Sequence, residues 1–430
     1  MKDKAYSRII NAWCMYDWAN SAFATTIMAA VLPTFYAAVA GANLPGNTAT
    51  VYWGYTSALA LLIGALLAPV LGAVSDYLGA KKRFLTAFAI FGIFFTSLLV
   101  LVSTGDWLLA SVLYVLGEIG FGGANVFYDS LLPHVARSED IDYVSSKGYA
   151  MGYLGGGILL AVNIVMILFW EKLGLPSKEM ASRFSFLSVG IWWAVFSIPI
   201  LRVVPEPPVA ARHGPRLNPL RAAFQRLGHT FGDLRRYREL SKFIIAFWLY
   251  NDGIGTIIKM ATIYGTEIGI GQTDLIGALL LTQFVGIPFS LLFGKLAKPL
   301  GTKRSIYLAL AVYTLICVAG YFMTKAWHFW VLAGMVGLVQ GGSQALSRSL
   351  FGQMVPKAKS AEFFGFYDVS SKFAGIAGPA LFALVGQITG TSRLSIISLI
   401  IFFVVGGLVL TRVNETEGIR VAREADAVSA

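Results

Sequence analysis

Residues 12–27 read AWCMYDWANSAFATTI, and the fold can be worked out from this stretch. It opens an apolar run long enough to cross a bilayer, yet the run holds Asp17 and Asn20. A carboxylate at the centre of a membrane helix costs about 2.5 to 3.5 kcal/mol on the mildest scale, so it must face a water-filled cavity or a partner. Residues 246–260, AFWLYNDGIGTIIKM, repeat the pattern, with Tyr250, Asn251 and Asp252 standing where Tyr16, Asp17 and Trp18 stood 234 positions earlier. Two copies of one span, each with an acid at depth, predict a pore or cleft between two related halves.

Working outward, the composition agrees. Hydrophobic residues make up 56% of the 430 and charged residues 13%, where a soluble domain carries about 25% charged. The chain reads as an all-α polytopic membrane protein. An open sheet cannot cross lipid, and no segment alternates with the period of a barrel strand. Twelve segments reach the roughly 20 residues that a helix needs to cross the bilayer core: 13–39, 51–74, 84–103, 108–132, 149–169, 184–204, 243–265, 275–297, 306–323, 329–351, 364–388 and 394–412. The first run is too long, and too charged at Asp17, for a cleavable signal. The net charge of +11 sits in short loops between spans, which argues against nucleic acid as a partner. Cys14 and Cys317 lie far apart inside spans and read as packing residues, and the four histidines have no metal spacing. Neither a metal nor a cofactor is expected.

With the N-terminus inside, 26 of the 34 Lys and Arg residues fall in cytoplasmic segments and 5 outside. This asymmetry predicts that both termini are cytoplasmic. The expected organisation is a first six-helix half, 1–204, a basic cytoplasmic linker, 205–242, a second half, 243–412, and a cytoplasmic tail, 413–430. Residues 217–240 of the linker read either as a helix lying on the anionic inner leaflet or as solvated chain.

The halves repeat in their loops as well. GAVSDYLGAKKR, 72–83, matches GKLAKPLGTKR, 294–304, with Gly72 over Gly294 and Gly79 over Gly301 at an offset of 222. GGANVFYDSL in span four matches GGSQALSRSL in span ten at an offset of 219. The first loop, with Gly72, Asp76, Gly79, Lys81, Lys82 and Arg83, resembles the signature of the major facilitator superfamily, and the twelve-span layout fits that family over essentially the whole chain. The resemblance implies close helix approach at the glycines and Asp76 at the positive N-terminal end of span eleven. It also implies that the basic trio grips anionic lipid headgroups. The second copy has Lys298 where the first has Asp76, so this latch is not duplicated. Within the superfamily, YDWANSAF (16–23), EFFGFYDVSSKFAGIAGP (362–379) and VNETEGIRVARE (413–424) resemble the branch of the fungal vacuolar effluxers of autophagic amino acids and their bacterial relatives. That branch implies proton-coupled export of amino acids or similar small solutes; a monomer is expected, in the plasma membrane if the source is a bacterium.

The intramembrane charges are the candidate coupling residues: Asp17, Glu118, Asp129, Asp252, Lys259, Arg348, Asp368 and Lys372. Asp368 and Lys372 are four apart on one helix face, which leaves them either a self-neutralising pair or functional groups. Asp17 and Asp252 each lie beside small or helix-weakening residues, so a local unwinding there would turn carbonyls toward the cleft. Glu118, with no base on its own helix, reads either as a proton carrier or as a partner of Lys372 or Lys259. Asp129 and Arg348 occupy matched places in spans four and ten, either closing a cytoplasmic gate together or satisfied within their own halves, Arg348 by Asp368. Asn20, Asn125, Tyr128, Asn251, Gln283, Gln344 and Tyr367 are the candidate substrate lining. Rival readings are a lipid or amphiphile transporter and a solute sensor. No nucleophile set or phosphate loop supports an enzyme.

Overall fold

The computed structural model describes residues 2–45, 48–208 and 237–429. The central part of the expected linker, including most of its candidate helix, lies outside them. Among the described residues there is no strand. Twelve long helices follow in order: α1 Asp3–Ala40, α2 Thr48–Leu78, α3 Lys81–Leu101, α4 Trp107–Val135, α5 Ile141–Leu168 and α6 Lys178–Val203. After the linker come α7 Arg238–Glu267, α8 Gln272–Leu300, α9 Thr302–Tyr321, α10 Ala326–Met354, α11 Ser360–Thr389 and α12 Ser392–Thr411. A shorter helix, α13, Glu415–Ser429, ends the chain. Eleven of the twelve are long and apolar enough to cross a membrane. The exception, α7, has the length, but Asn251, Asp252 and Lys259 dilute its apolarity.

Large apolar side chains point out all around the bundle, among them Leu66, Phe94, Leu168, Leu315 and Leu408. In water such a band would be a liability, but in lipid it is the solvent-facing surface. The buried apolar residues form two main clusters. One draws on residues 10–204 plus Ala361, the other on residues 237–413. Two seams join the clusters, α2 along α11 and α5 along α8. The first is close because two glycines allow it: a Cβ on Gly72 would strike the Ala361 carbonyl, and one on Gly365 would stand 2.6 Å from the Ala68 oxygen. Gly79 and Gly301, both at positive φ, make the matched turns into α3 and α9.

The expected unwinding beside Asp17 and Asp252 does not form. The α7 backbone is α-helical throughout, and α1 is α-helical as far as Ala22. The irregularity comes one turn later, as π-helical turns at Phe23–Ala30 and Tyr36–Ala40. Pro33 removes one backbone donor from this region, and the Thr25 hydroxyl donates to Ser21 and Gly156 carbonyls. Both loosen the i→i−4 ladder. The small residues at the acids instead allow close packing of helix against helix.

Candidate functional site

Arg348 of α10 is the centre of the site. It is 2% exposed and crosses from the second half into the first. Its Nη1 donates to Asp129 Oδ1 at 2.9 Å, and both Nη atoms reach Asp17 Oδ2 at 3.4 Å. Nε donates to Ser145 Oγ and Nη2 to the Ser145 carbonyl, each at 2.9 Å. Asp17 also accepts the Tyr128 hydroxyl at 2.8 Å. Of the two partners open to Arg348 in the sequence, the structure supplies Asp129 and not Asp368. The cluster holds two carboxyl groups and one guanidinium.

Two amide pairs lie nearby, one between α1 and α4 and one between α7 and α10. Asn20 of α1 donates to Asn125 of α4. In the second half, Gln344 of α10 donates to Asn251 of α7 at 2.7 Å, and Asn251 to Ser371 at 3.4 Å. The repeat is visible in contact as well as in sequence: Tyr16 packs its ring on Tyr128, and the matched Tyr250 hydroxyl meets Ser347 at 2.6 Å. Tyr367 is stacked between Phe247 and Phe351. Gln283 stands beside Gly157 of α5, across the seam between halves.

A second charged cluster surrounds Lys372. It pairs with Asp368 at 2.8 Å and presses its ammonium into the first half. A Cβ on Gly64 of α2 or Gly122 of α4 would stand 2.6 or 2.8 Å from Nζ. Glu118, one helical turn from Gly122, is 3% exposed, and its Oε2 is buried with no hydrogen-bond partner among the described residues. This cluster also has two acids and one base.

Asp252 and Lys259 do not join either cluster. Asp252 is 1% exposed and accepts the Gly378 N–H of α11 at 2.9 Å, beside Pro379. Proline leaves that stretch of α11 short of one backbone donor, and Asp252 fastens it to α7. Lys259 is exposed, because seven residues from Asp252 it sits two turns along the axis.

The motif loop forms a latch at the same end of the bundle. Asp76, with a fully buried side chain, accepts the N–H groups of Ala361 at 3.3 Å and Glu362 at 2.8 Å in the first turn of α11, and pairs with Lys81 at 2.6 Å. The expected lipid contact of the trio is corrected for two of its members. Lys81 is buried on Asp76. The Lys82 ammonium caps the end of α6 by donating to the Val204 carbonyl at 2.6 Å, while Glu206 accepts the backbone N–H groups of Lys82 and Arg83. Arg83 alone is exposed. In the second half, Lys303 likewise caps α12, donating to the Thr411 and Val413 carbonyls.

Sequence reasoning missed Asp142, Ser145 and Tyr149 of α5. Asp142 accepts the Thr302 hydroxyl at 2.7 Å and the Ser349 hydroxyl, which ties the other seam. With Lys298 exposed, this is how the second seam closes without a copy of Asp76. Asp142 belongs to the first half, like Asp76, and an eye on acids in first helical turns would have found it. Asp426 of α13 accepts the Lys357 N–H at 2.7 Å, adding the tail helix to the same closed end.

The family model described as vacuole effluxer Atg22 like matches residues 5–423. A Bacillus subtilis protein named an uncharacterized MFS-type transporter, YxiO, is 40% identical over 98% of both chains. Autophagy-related protein 22-2 of Neosartorya fischeri is 26% identical over 82% of this chain and 72% of its own. Among solved structures, the proton:xylose symporter XylE matches with a TM-score of 0.74 at 17% identity over 100% of both chains. FucP, an MFS transporter in the outward conformation, gives 0.67 at 12% identity over 95% of this chain and 98% of its own. The fold is the twelve-helix major facilitator fold, and the protein is a multi-pass membrane transporter rather than an enzyme. The chain belongs to the vacuole effluxer Atg22-like family of the major facilitator superfamily.

Proposed function

We propose that the protein exports amino acids or similar small polar solutes, coupled to protons, by rocking halves 1–204 and 243–412 about the cleft between them. Both termini are cytoplasmic in this reading, the chain acts as a monomer, and the end closed by Asp76, Asp142 and Arg348 is the cytoplasmic one. The observation that carries the reading is Arg348 lodged between Asp17 and Asp129. Closing this end forms the ion pairs, and opening it strips the cation from two carboxylates that water and protons can then reach. Glu118 is the second candidate proton site, and Asp252 holds α11 against α7 during the motion. Asn20, Asn125, Asn251, Gln283 and Gln344 offer the amides that a zwitterion requires. Arg83 and the exposed Lys298 and Arg304 remain to meet anionic headgroups.

Flux of a labelled amino-acid pool in proteoliposomes, with and without a pH gradient, tests the proposal. Gradient-driven flux supports it, and flux indifferent to the gradient removes the coupling. One observation favours a second reading. An apolar cavity of about 110 Å³ lies within the second half, lined by Ile257, Met260, Leu279, Ile316, Phe329 and Val336 among others. An amphiphile carrier would use such a space, and it would move a labelled lysolipid where the exporter moves amino acids.

A further inference from the structure

We propose that Trp13, Tyr128 and Tyr149, with Asp17 and Asp129, form a receptor for a guanidinium-bearing solute, which Arg348 occupies as a tethered substitute while the cytoplasmic end is closed. The inference rests on the exporter reading and adds a substrate class to it.

Every group that holds the Arg348 head belongs to the first half: Trp13 and Asp17 on α1, Tyr128 and Asp129 on α4, Ser145 and Tyr149 on α5. Its Cζ lies 5.0 Å from the Trp13 ring centroid, 5.6 Å from Tyr128 and 4.4 Å from Tyr149. Three aromatic faces around one cation form a cage of the kind that binds organic cations. A guanidinium has five N–H groups in a fixed planar fork. The five polar contacts here are one from Nε, two from Nη1 and two from Nη2. An ammonium, with three donors pointing tetrahedrally, cannot reproduce that set. Gly148 makes room for the head, since a Cβ there would stand 2.5 Å from Asp17 Oδ2 and 3.0 Å from Arg348 Nη2.

Arg348 is the one member that travels with the second half. When the cytoplasmic end opens, it leaves behind a cage with two carboxylates and no cation. A small guanidinium entering from the cytoplasm satisfies the same acceptors and rings. Re-closure brings Arg348 back to the same place, and the two cations cannot share it, so closing displaces the solute from the cage, while the coupled gradient sets the direction of net movement.

The test uses methylguanidinium and its neutral isostere methylurea on full-length protein in nanodiscs. Arg348→Ala empties the cage in every state, so it should bind methylguanidinium at least about tenfold tighter than wild type, and Trp13→Leu in that background should reverse the gain. Methylurea should bind neither. Equal binding of the two probes, or equal affinity in wild type and Arg348→Ala, overturns the proposal. If Arg348→Ala does not insert, the wild type decides: methylguanidinium should inhibit labelled amino-acid flux where methylurea does not, and equal effects overturn it. pH-driven amino-acid flux that ignores methylguanidinium removes this inference and leaves the exporter reading intact. Probe binding without any flux does the reverse.

Discussion

Asp76→Asn isolates the contribution of the latch to the conformational equilibrium. The substitution keeps the shape of the side chain and removes its charge. The pair with Lys81 lies within the first half and is expected to cancel between the open and closed ends. What differs is the pair of N–H groups from Ala361 and Glu362, which Asp76 meets only when α2 lies against α11. A hydrogen bond to a charged group contributes about 1.5 to 3 kcal/mol, and the 3.3 Å contact to Ala361 belongs at the weak end. Asparagine can still accept one of the two through its carbonyl. The net loss to the closed state is then about 2 kcal/mol, or roughly a 30-fold shift toward the open one. Ala345→Cys is the reporter. Ala345 is fully buried, and its carbonyl accepts the Ser145 hydroxyl across the other seam at 2.7 Å. With Cys14 and Cys317 replaced, the rate of labelling by an impermeant thiol reagent from the cytoplasmic side should rise by that factor. Gly72→Leu should raise it further, because its side chain lands on the Ala361 backbone. A labelling rate unchanged in Asp76→Asn would refute the reasoning.

The other substitutions separate coupling from architecture. Glu118→Gln and Asp17→Asn should each abolish pH-driven flux in proteoliposomes with the protein still inserted, and full flux in both would move the proton sites elsewhere. Asp252→Asn should lower transport at least about tenfold by weakening the tie between α7 and α11. Gly378→Ala, whose Cβ would stand 2.7 Å from Asp252 Oδ1, should lower the thermal midpoint, and an unchanged midpoint would show that the contact is slack. Lys82→Ala should cost about 1 kcal/mol of stability through the lost cap on Val204, while Arg83→Ala leaves thermal unfolding unchanged. Equal effects of these two would mean that the cap contributes nothing.

The spans could be read from the sequence because lipid permits few alternatives and because glycine-punctuated loops repeat at fixed offsets. The same offsets set Asp129 against Arg348, and the motif placed Asp76 at the start of α11. The direction in which Asp252 points was not legible, since a helix's rotation against its neighbours is set by packing that one sequence does not display. Lys82 looked like a lipid ligand because a cap on another helix end leaves no local pattern. Ser145 and Tyr149 were missed for a related reason: neither bears a charge, and their role exists only once α5 lies on α1 and α10.

In the proposed cycle, closure of one end is driven by acids of the first half meeting a base of the second. The charge swap of Asp129 and Arg348 tests it most directly. Asp129→Arg and Arg348→Asp should each impair flux, by leaving buried charges unpaired at a cost of about 3 to 5 kcal/mol, and the double variant should recover part of it. A double variant no better than the worse single would place the two residues in separate networks and contradict the gate.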